Sequence, residues 1–252
     1  MTASRVVAGT ALLGALWLYY AFHDRLWEAG KWWDIAFLAV VLIPACFALV
    51  WLLLPLRTWR WTYLVAIAFG ILALVLHLVG ASTPENFCKL FGVSLIGFWF
   101  LGFFETLGWI VLVACIVPFV DAYSVFAPHG PTNVIVSEHR HVFTDFSFAF
   151  PIPGERYAAN LGLPDLLFFA LFLAASARFA LRPRLTWLLL TVSFGATLAL
   201  ASVWRGGLPA LPLLAIAFLL ANSDLIWSEL RRPGPERRSA GTETRSSGRT
   251  GA

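Results

Sequence analysis

The chain is built from apolar runs of about 20 residues, each long enough to cross about 30 Å of hydrocarbon as an α-helix, with most charges confined to the breaks between them. The alternating apolar and polar decads of a membrane β-barrel are missing from these runs, which fixes the class as an all-α polytopic membrane protein. Composition agrees: of 252 residues, 60% are hydrophobic and 13% charged. Helices are predicted at about residues 6–22, 35–55, 61–80, 89–104, 107–127, 161–181, 185–204 and 208–228. That makes eight, with nine as the alternative if one run conceals two. A single helix from Leu90 to Phe126 would be about 55 Å long, so a tight break is expected at Glu105 to Gly108.

The run from Val6 to Phe22 is followed by His23, Asp24, Arg25 and Leu26 with no small-x-small cleavage site, and reads as a membrane helix. Cys46, Cys88 and Cys115 are too scattered for a metal site or a disulfide framework and read as packing residues. Trp32, Trp33, Trp59 and Trp61 stand beside Lys31, Arg57 and Arg60 at predicted helix ends, as interfacial anchors do. After Glu229, arginines among Gly, Ser, Thr and Pro give a basic tail, residues 229–252, that cannot bury a core and is expected to be disordered. Its charge suits anionic lipid, and nothing calls for nucleic acid. Counting positive charges puts Arg5, Arg57, Arg60, Arg178, Arg182, Arg184 and the tail on one side, against Arg25, Lys31, Lys89, Arg140, Arg156 and Arg205. Both termini are then cytoplasmic, and the loop from Ala127 to Asn160 lies outside the cytoplasm.

That loop is the one long polar connection. Phe146, Phe148 and Phe150 alternate with Ser147 and Ala149, the period of a β-strand, ended by Pro151 and Pro153; Thr132 to Val136 is a second strand candidate. Two readings stay open: a hairpin lying on the membrane surface, or an edge strand that pairs with an extended peptide. His129, His139 and His141 share the loop without a cysteine partner, and no metal is expected. His77 reads as a neutral, hydrogen-bonded histidine within an apolar run, Glu105 as interfacial, and Asn222 and Asp224 as solvated residues closing the last helix.

Asp121, late in one predicted helix, and Asp165, at the start of the next, stand apart from this background. An ionisable side chain at membrane depth costs several kcal/mol unless it is paired or faces a polar cavity. If the two helices are antiparallel neighbours, both carboxyls lie just inside the same membrane face. Two carboxyls in a low-dielectric site cannot both ionise, and a pair sharing one proton suits peptide hydrolysis. Each feature alone has an ordinary explanation: Pro164-Asp165 is also a favourable helix start, and Asp121 could reach toward a nearby interface. A third element, Leu208-Pro209-Ala210-Leu211-Pro212, breaks helical pairing at the head of the last helix, which is tolerated only where the freed groups are buried in protein or line a wet cavity.

Taken in order, Asp121-Ala122-Tyr123-Ser124-Val125, Gly162-Leu163-Pro164-Asp165 and Pro209-Ala210-Leu211 resemble the presenilin and signal peptide peptidase family of intramembrane aspartyl proteases, in particular its prokaryotic members. The resemblance covers roughly residues 108 to 225. It implies a scaffold of helices over residues 1–106 and a catalytic region over 107–228 with its loop at 128–160. It also implies a catalytic dyad of Asp121 and Asp165. Substrate contacts would come from Gly162, Leu163 and Pro164, from Pro209, Ala210 and Leu211, and from a strand at Phe146, Phe148 and Phe150 that pairs with unwound substrate. No cofactor is implied, and the partner would be a transmembrane segment or signal peptide. Three departures are visible: Pro164 replaces the family's glycine before the second aspartate, Val120 its tyrosine before the first, and eight helices stand where the family has nine. The competing classes are an inactive relative that binds transmembrane helices and a proton-coupled transporter, although the internal repeats of a transporter are not found.

Overall fold

The computed structural model describes residues 2–28, 30–127, 129–132, 134, 140–203 and 208–231. The basic tail beyond Arg231 and Arg205 lie outside the described residues. Helices α1 (Ala3–Phe22), α2 (Lys31–Phe37), α3 (Ile43–Leu53), α4 (Thr62–Leu78), α5 (Ser82–Phe100) and α6 (Leu107–Phe126) form the N-terminal half. A short helix α7 (Arg140–Asp145) leads to strands β1 (Ser147–Pro151) and β2 (Ala158–Gly162), and then come α8 (Leu163–Arg178), α9 (Pro183–Val203) and α10 (Leu211–Leu230). Helices α2 and α3 are one rod, joined by a π-helical turn at Leu38–Leu42. Pro44 lies two residues beyond that turn, and having no N–H it cannot continue the regular ladder.

Six helical runs are long and apolar enough to cross a membrane: Ala3–Arg25, Lys31–Thr58, Ser82–Phe103, Leu107–Phe126, Pro183–Val203 and Leu211–Leu230. Helix α4, of 17 residues, is shorter but apolar. Helix α8, of 16 residues, is the centre of the bundle: Leu166 and every residue from Phe169 to Ser176 are buried. It packs on α5, where Gly97 comes so close that a Cβ would stand 2.8 Å from the Leu167 carbonyl oxygen. Phe172 stacks on Phe218 of α10 at 4.8 Å, and Phe169 meets Phe47 of α3 at 4.1 Å.

The chain alternates between two faces. One carries the hairpin, the end of α6 and the start of α8. The other carries the start of α1, the end of α3, the start of α4, the ends of α5, α8 and α10, and the turn into α9.

Several expected boundaries move, each for a physical reason. Helix α5 begins at Ser82 rather than 89 because its polar first turns are satisfied within the protein: Glu85 pairs with Lys89 at 2.6 Å and His77 at 3.2 Å. Helix α8 begins at Leu163 because the two residues expected to open it, Leu161 and Gly162, belong to β2. The second strand is therefore Ala158–Gly162. Of the other candidate, Thr132 and Val134 lie in helical backbone, while Asn133, Ile135 and Val136 are outside the described residues. Asn222, expected in solvent, is fully buried; its amide accepts from the Arg182 N–H and donates to Thr186 Oγ1 and the Phe218 carbonyl. Asp224 stays exposed and pairs with Arg182 at 2.6 Å. The break after α5 falls at Phe104 to Thr106, close to its expected place.

The hairpin is fastened to the bundle along β1. Asn86 donates to the Ala149 carbonyl and accepts its N–H, both at 2.8 Å, filling the place of a neighbouring strand. Tyr20 donates to the same carbonyl at 2.8 Å and Tyr19 to that of Pro151 at 2.7 Å. Replacing Asn86 with alanine leaves the Ala149 N–H unpaired, at about 1–3 kcal/mol, and the Ala149 carbonyl with Tyr20 alone. Asn86→Ala is therefore expected to lower stability by about 2–4 kcal/mol in detergent unfolding, toward the lower end of that range, and to expose the Ala149 amide to hydrogen exchange.

Candidate functional site

Asp121 sits in the last turns of α6, three residues after Pro118, which interrupts the helical ladder just before it. Asp165 is the third residue of α8, after Leu163 and Pro164. An acid there is suited to capping its own helix, yet no side-chain cap forms, and among the described residues Asp165 makes no hydrogen bond. Asp121 is near enough for the two carboxyls to interact electrostatically, and both are partly buried.

The third participant is backbone. The Leu211 N–H donates to Asp121 Oδ2 at 3.1 Å. Leu211 is the first residue of α10 and is followed by Pro212, so this N–H is one of the few donors at that helix end, and the positive end of the helix dipole lies over the carboxylate. Ala210 and Leu211 are buried at this junction. The segment Pro209-Ala210-Leu211 thus reaches one member of the pair directly.

Gly162 reaches the other. A Cβ on Gly162 would lie 3.2 Å from Asp165 Oδ2, so a glycine is what lets the carboxyl fold back against the strand end. Pro164 is exposed on the outer side of the same turn. Val120 and Tyr123 also point outward, 61% and 67% exposed, so neither ring nor branch covers Asp121.

The register of the sheet decides which strand edge is open. Phe148 pairs with Leu161 and Phe150 with Ala159, and the ladder continues through the Leu163 N–H to the Phe146 carbonyl at 3.2 Å and the Ile152 N–H to the Tyr157 carbonyl at 3.3 Å. Even-numbered residues of β1 therefore direct their backbone groups at β2, and odd-numbered ones direct theirs at Asn86 and the tyrosines. The outer edge of β1 is occupied at Ala149 and at the Pro151 carbonyl. On β2 the backbone groups of Ala158 and Asn160 and the N–H of Gly162 face away from β1, and among the described residues nothing pairs with them.

The strand edge expected at Phe146, Phe148 and Phe150 thus moves to β2, which ends three residues before Asp165. Phe148 and Phe150 are core residues, at most 3% exposed, with Phe148 edge-on to Phe87; Phe146 alone is exposed. Asn86, the two tyrosines, the Leu211 N–H and β2 were not read from the sequence. The aromatic alternation of β1 outweighed Ala158-Ala159-Asn160-Leu161-Gly162, which has no β-branched or aromatic residue to mark a strand.

Among the described residues no cluster of His, Cys, Asp and Glu could hold a metal ion. No protein-family model matches the chain, and no curated protein matches it.

Two carboxyls brought together in low dielectric repel one another when both are charged, and removing one relieves the other. Asp121→Asn and Asp165→Asn are each expected to keep or raise the unfolding temperature. The double variant should gain less than the sum of the two, because the sites share one repulsion. Fully additive effects in detergent unfolding would mean that the carboxyls do not interact.

Proposed function

We propose that this chain is an intramembrane aspartic endopeptidase of the presenilin and signal peptide peptidase type, which uses Asp121 and Asp165 to hydrolyse a peptide bond in or near a transmembrane segment. The observation that carries the reading is the convergence of two carboxyls, one of them held by a helix N-terminus, beside an unpaired strand edge.

The chemistry follows from one proton shared by the pair. The ionised carboxyl takes a proton from a water molecule, whose oxygen bonds to the scissile carbonyl carbon. The protonated carboxyl gives its proton to the carbonyl oxygen, producing a gem-diol. The proton taken from water then passes to the nitrogen as the C–N bond breaks, while a gem-diol hydroxyl returns a proton to the other carboxylate, leaving a carboxylic acid and an amine and restoring the shared proton. The Leu211 N–H favours negative charge on Asp121, which casts Asp121 as the base and Asp165 as the acid. No cofactor takes part.

A helical substrate has its backbone groups already paired and cannot offer a carbonyl to the dyad until it unwinds. The open edge at Ala158, Asn160 and Gly162 offers partners for the freed groups and ends at Asp165. The partner is therefore a transmembrane segment or signal peptide with a readily unwound stretch. For orientation, Arg5, Arg57, Arg60, Arg178, Arg182, Arg184 and Arg231 lie on the face opposite the hairpin, where the described acids are Glu105, Asp224 and Glu229. This supports cytoplasmic termini, with the dyad toward the other face, in what the resemblance makes a prokaryotic membrane.

A second reading is an inactive relative that binds transmembrane helices, favoured by Pro164 where the family has glycine. Cleavage of transmembrane reporters by the purified protein decides between them. Asp121→Ala and Asp165→Ala are each expected to lower cleavage at least about a thousandfold with the fold retained. Asn160→Pro removes one outward N–H together with the Asn160 Oδ1 that accepts from Ser147 Oγ at 3.2 Å, so Asn160→Ala, which keeps the N–H, is its reference, and cleavage should be about tenfold lower in the proline variant than in the alanine one. A folded protein that retains reporters without cutting any of them would establish the binding relative instead.

A further inference from the structure

On the face opposite the dyad, the turn into α4, the end of α5 and the end of α8 enclose an open cleft of about 540 Å³. Three guanidiniums line it, those of Arg57, Arg60 and Arg178, together with Trp59, Trp99 and the buried Thr62. Their present bonds leave most of their donors free. Arg178 donates to the Leu101 carbonyl at 2.6 Å, and Arg57 donates to those of Leu54 and Ala177 at 3.3 and 3.4 Å. Arg60 rests over the Trp61 ring at 4.5 Å. Each guanidinium has five N–H donors, and among the described residues no carboxylate lies within ion-pair distance of any of the three. The contrast is Arg182 on the same face, which is neutralised by Asp224. Helix α4 adds its positive N-terminal end, since Thr62 opens it at the cleft wall.

Three guanidiniums in one concavity, two of them exposed and none with a carboxylate partner among the described residues, favour an anion there, and the surroundings narrow the choice. Trp59 and Trp99 are 48% and 43% exposed, and the apolar outer face of α4, with Leu64, Ile67 and Ile71 exposed, begins directly beside them. Aromatic rings of this kind mark the headgroup level, and apolar side chains beyond them mark the acyl region. A ligand with a charged phosphodiester and hydrocarbon tails matches both parts. Arginine's planar fork binds phosphate oxygens in pairs.

We propose that this cleft binds the phosphodiester of an anionic phospholipid, with its acyl chains along α4. The site is separate from the dyad: Arg178 and Asp165 stand 13 residues apart on α8, about 20 Å along its axis. It would hold whether or not the chain cuts peptides.

The test is native mass spectrometry of the purified full chain with phosphatidylglycerol, phosphatidylcholine or inorganic phosphate. Wild type is expected to retain one phosphatidylglycerol at least tenfold more tightly than phosphatidylcholine, and millimolar phosphate is not expected to displace it. Arg60→Gln combined with Arg178→Gln should weaken that retention about tenfold or more, and Arg182→Gln should leave it unchanged. Equal retention of the two lipids by wild type would overturn the site without recourse to any variant. Displacement by phosphate alone would make free phosphate the ligand and overturn the lipid assignment. An equal loss in Arg182→Gln would reduce the effect to general surface charge and overturn it as well.

Discussion

Backbone groups at membrane depth must be paired, and that one constraint organises this molecule. Helices meet it internally along most of the chain. Three departures from helical pairing fall on one face: Pro118 in α6, the hairpin before α8, and the proline-flanked start of α10. The hairpin and the start of α10 find partners elsewhere in the protein. The Leu211 N–H finds Asp121, β1 finds β2, and the outer edge of β1 finds Asn86, Tyr19 and Tyr20. Among the described residues of these segments, what is left over is the outer edge of β2 and the Asp165 carboxyl. A site is where the repair stops.

Rigidity and openness are divided between the two strands. β1 is locked to α1 and α5 by side chains whose partners lie more than 60 residues away in sequence, so the hairpin cannot slide along the bundle. β2 is held only through β1 and through its continuity with α8, whose first turn carries Asp165. A peptide adding to β2 would therefore meet a strand of fixed register that leads straight into the carboxyl pair. The burial of α8 at the bundle centre keeps that carboxyl from shifting along its helix axis.

Much of this was legible in the sequence because hydrophobic run length is a strong signal. The rods over residues 6–22 and 107–127 fall within a few residues of α1 and α6, and the break near Glu105 follows from helix length alone. Asp121 and Asp165 stand out because charge is rare in such runs. The misread segments are those where tertiary partners override local pattern. The stretch from Ser82 to Cys88 looks like a loop until Glu85 is paired with Lys89 and His77, and Asn222 looks like a solvated helix end until Thr186 and the Arg182 backbone enclose it. β2 was hidden because a strand held by its neighbour and by continuity with a helix needs little intrinsic propensity. The contact between Leu211 and Asp121 was out of reach for another reason: it is made by a backbone N–H, which every residue except proline possesses.

The most direct test of the proposed chemistry is the fate of the oxygen atom. Purified protein in detergent is incubated with a transmembrane reporter in ¹⁸O-labelled water, and the products are read by mass spectrometry. Attack by water activated between Asp121 and Asp165 predicts a new C-terminal carboxyl carrying one ¹⁸O, formed by wild type and absent with Asp165→Asn. Reporter left intact by the folded wild-type protein, or labelled product that persists after loss of either aspartate, would contradict the account.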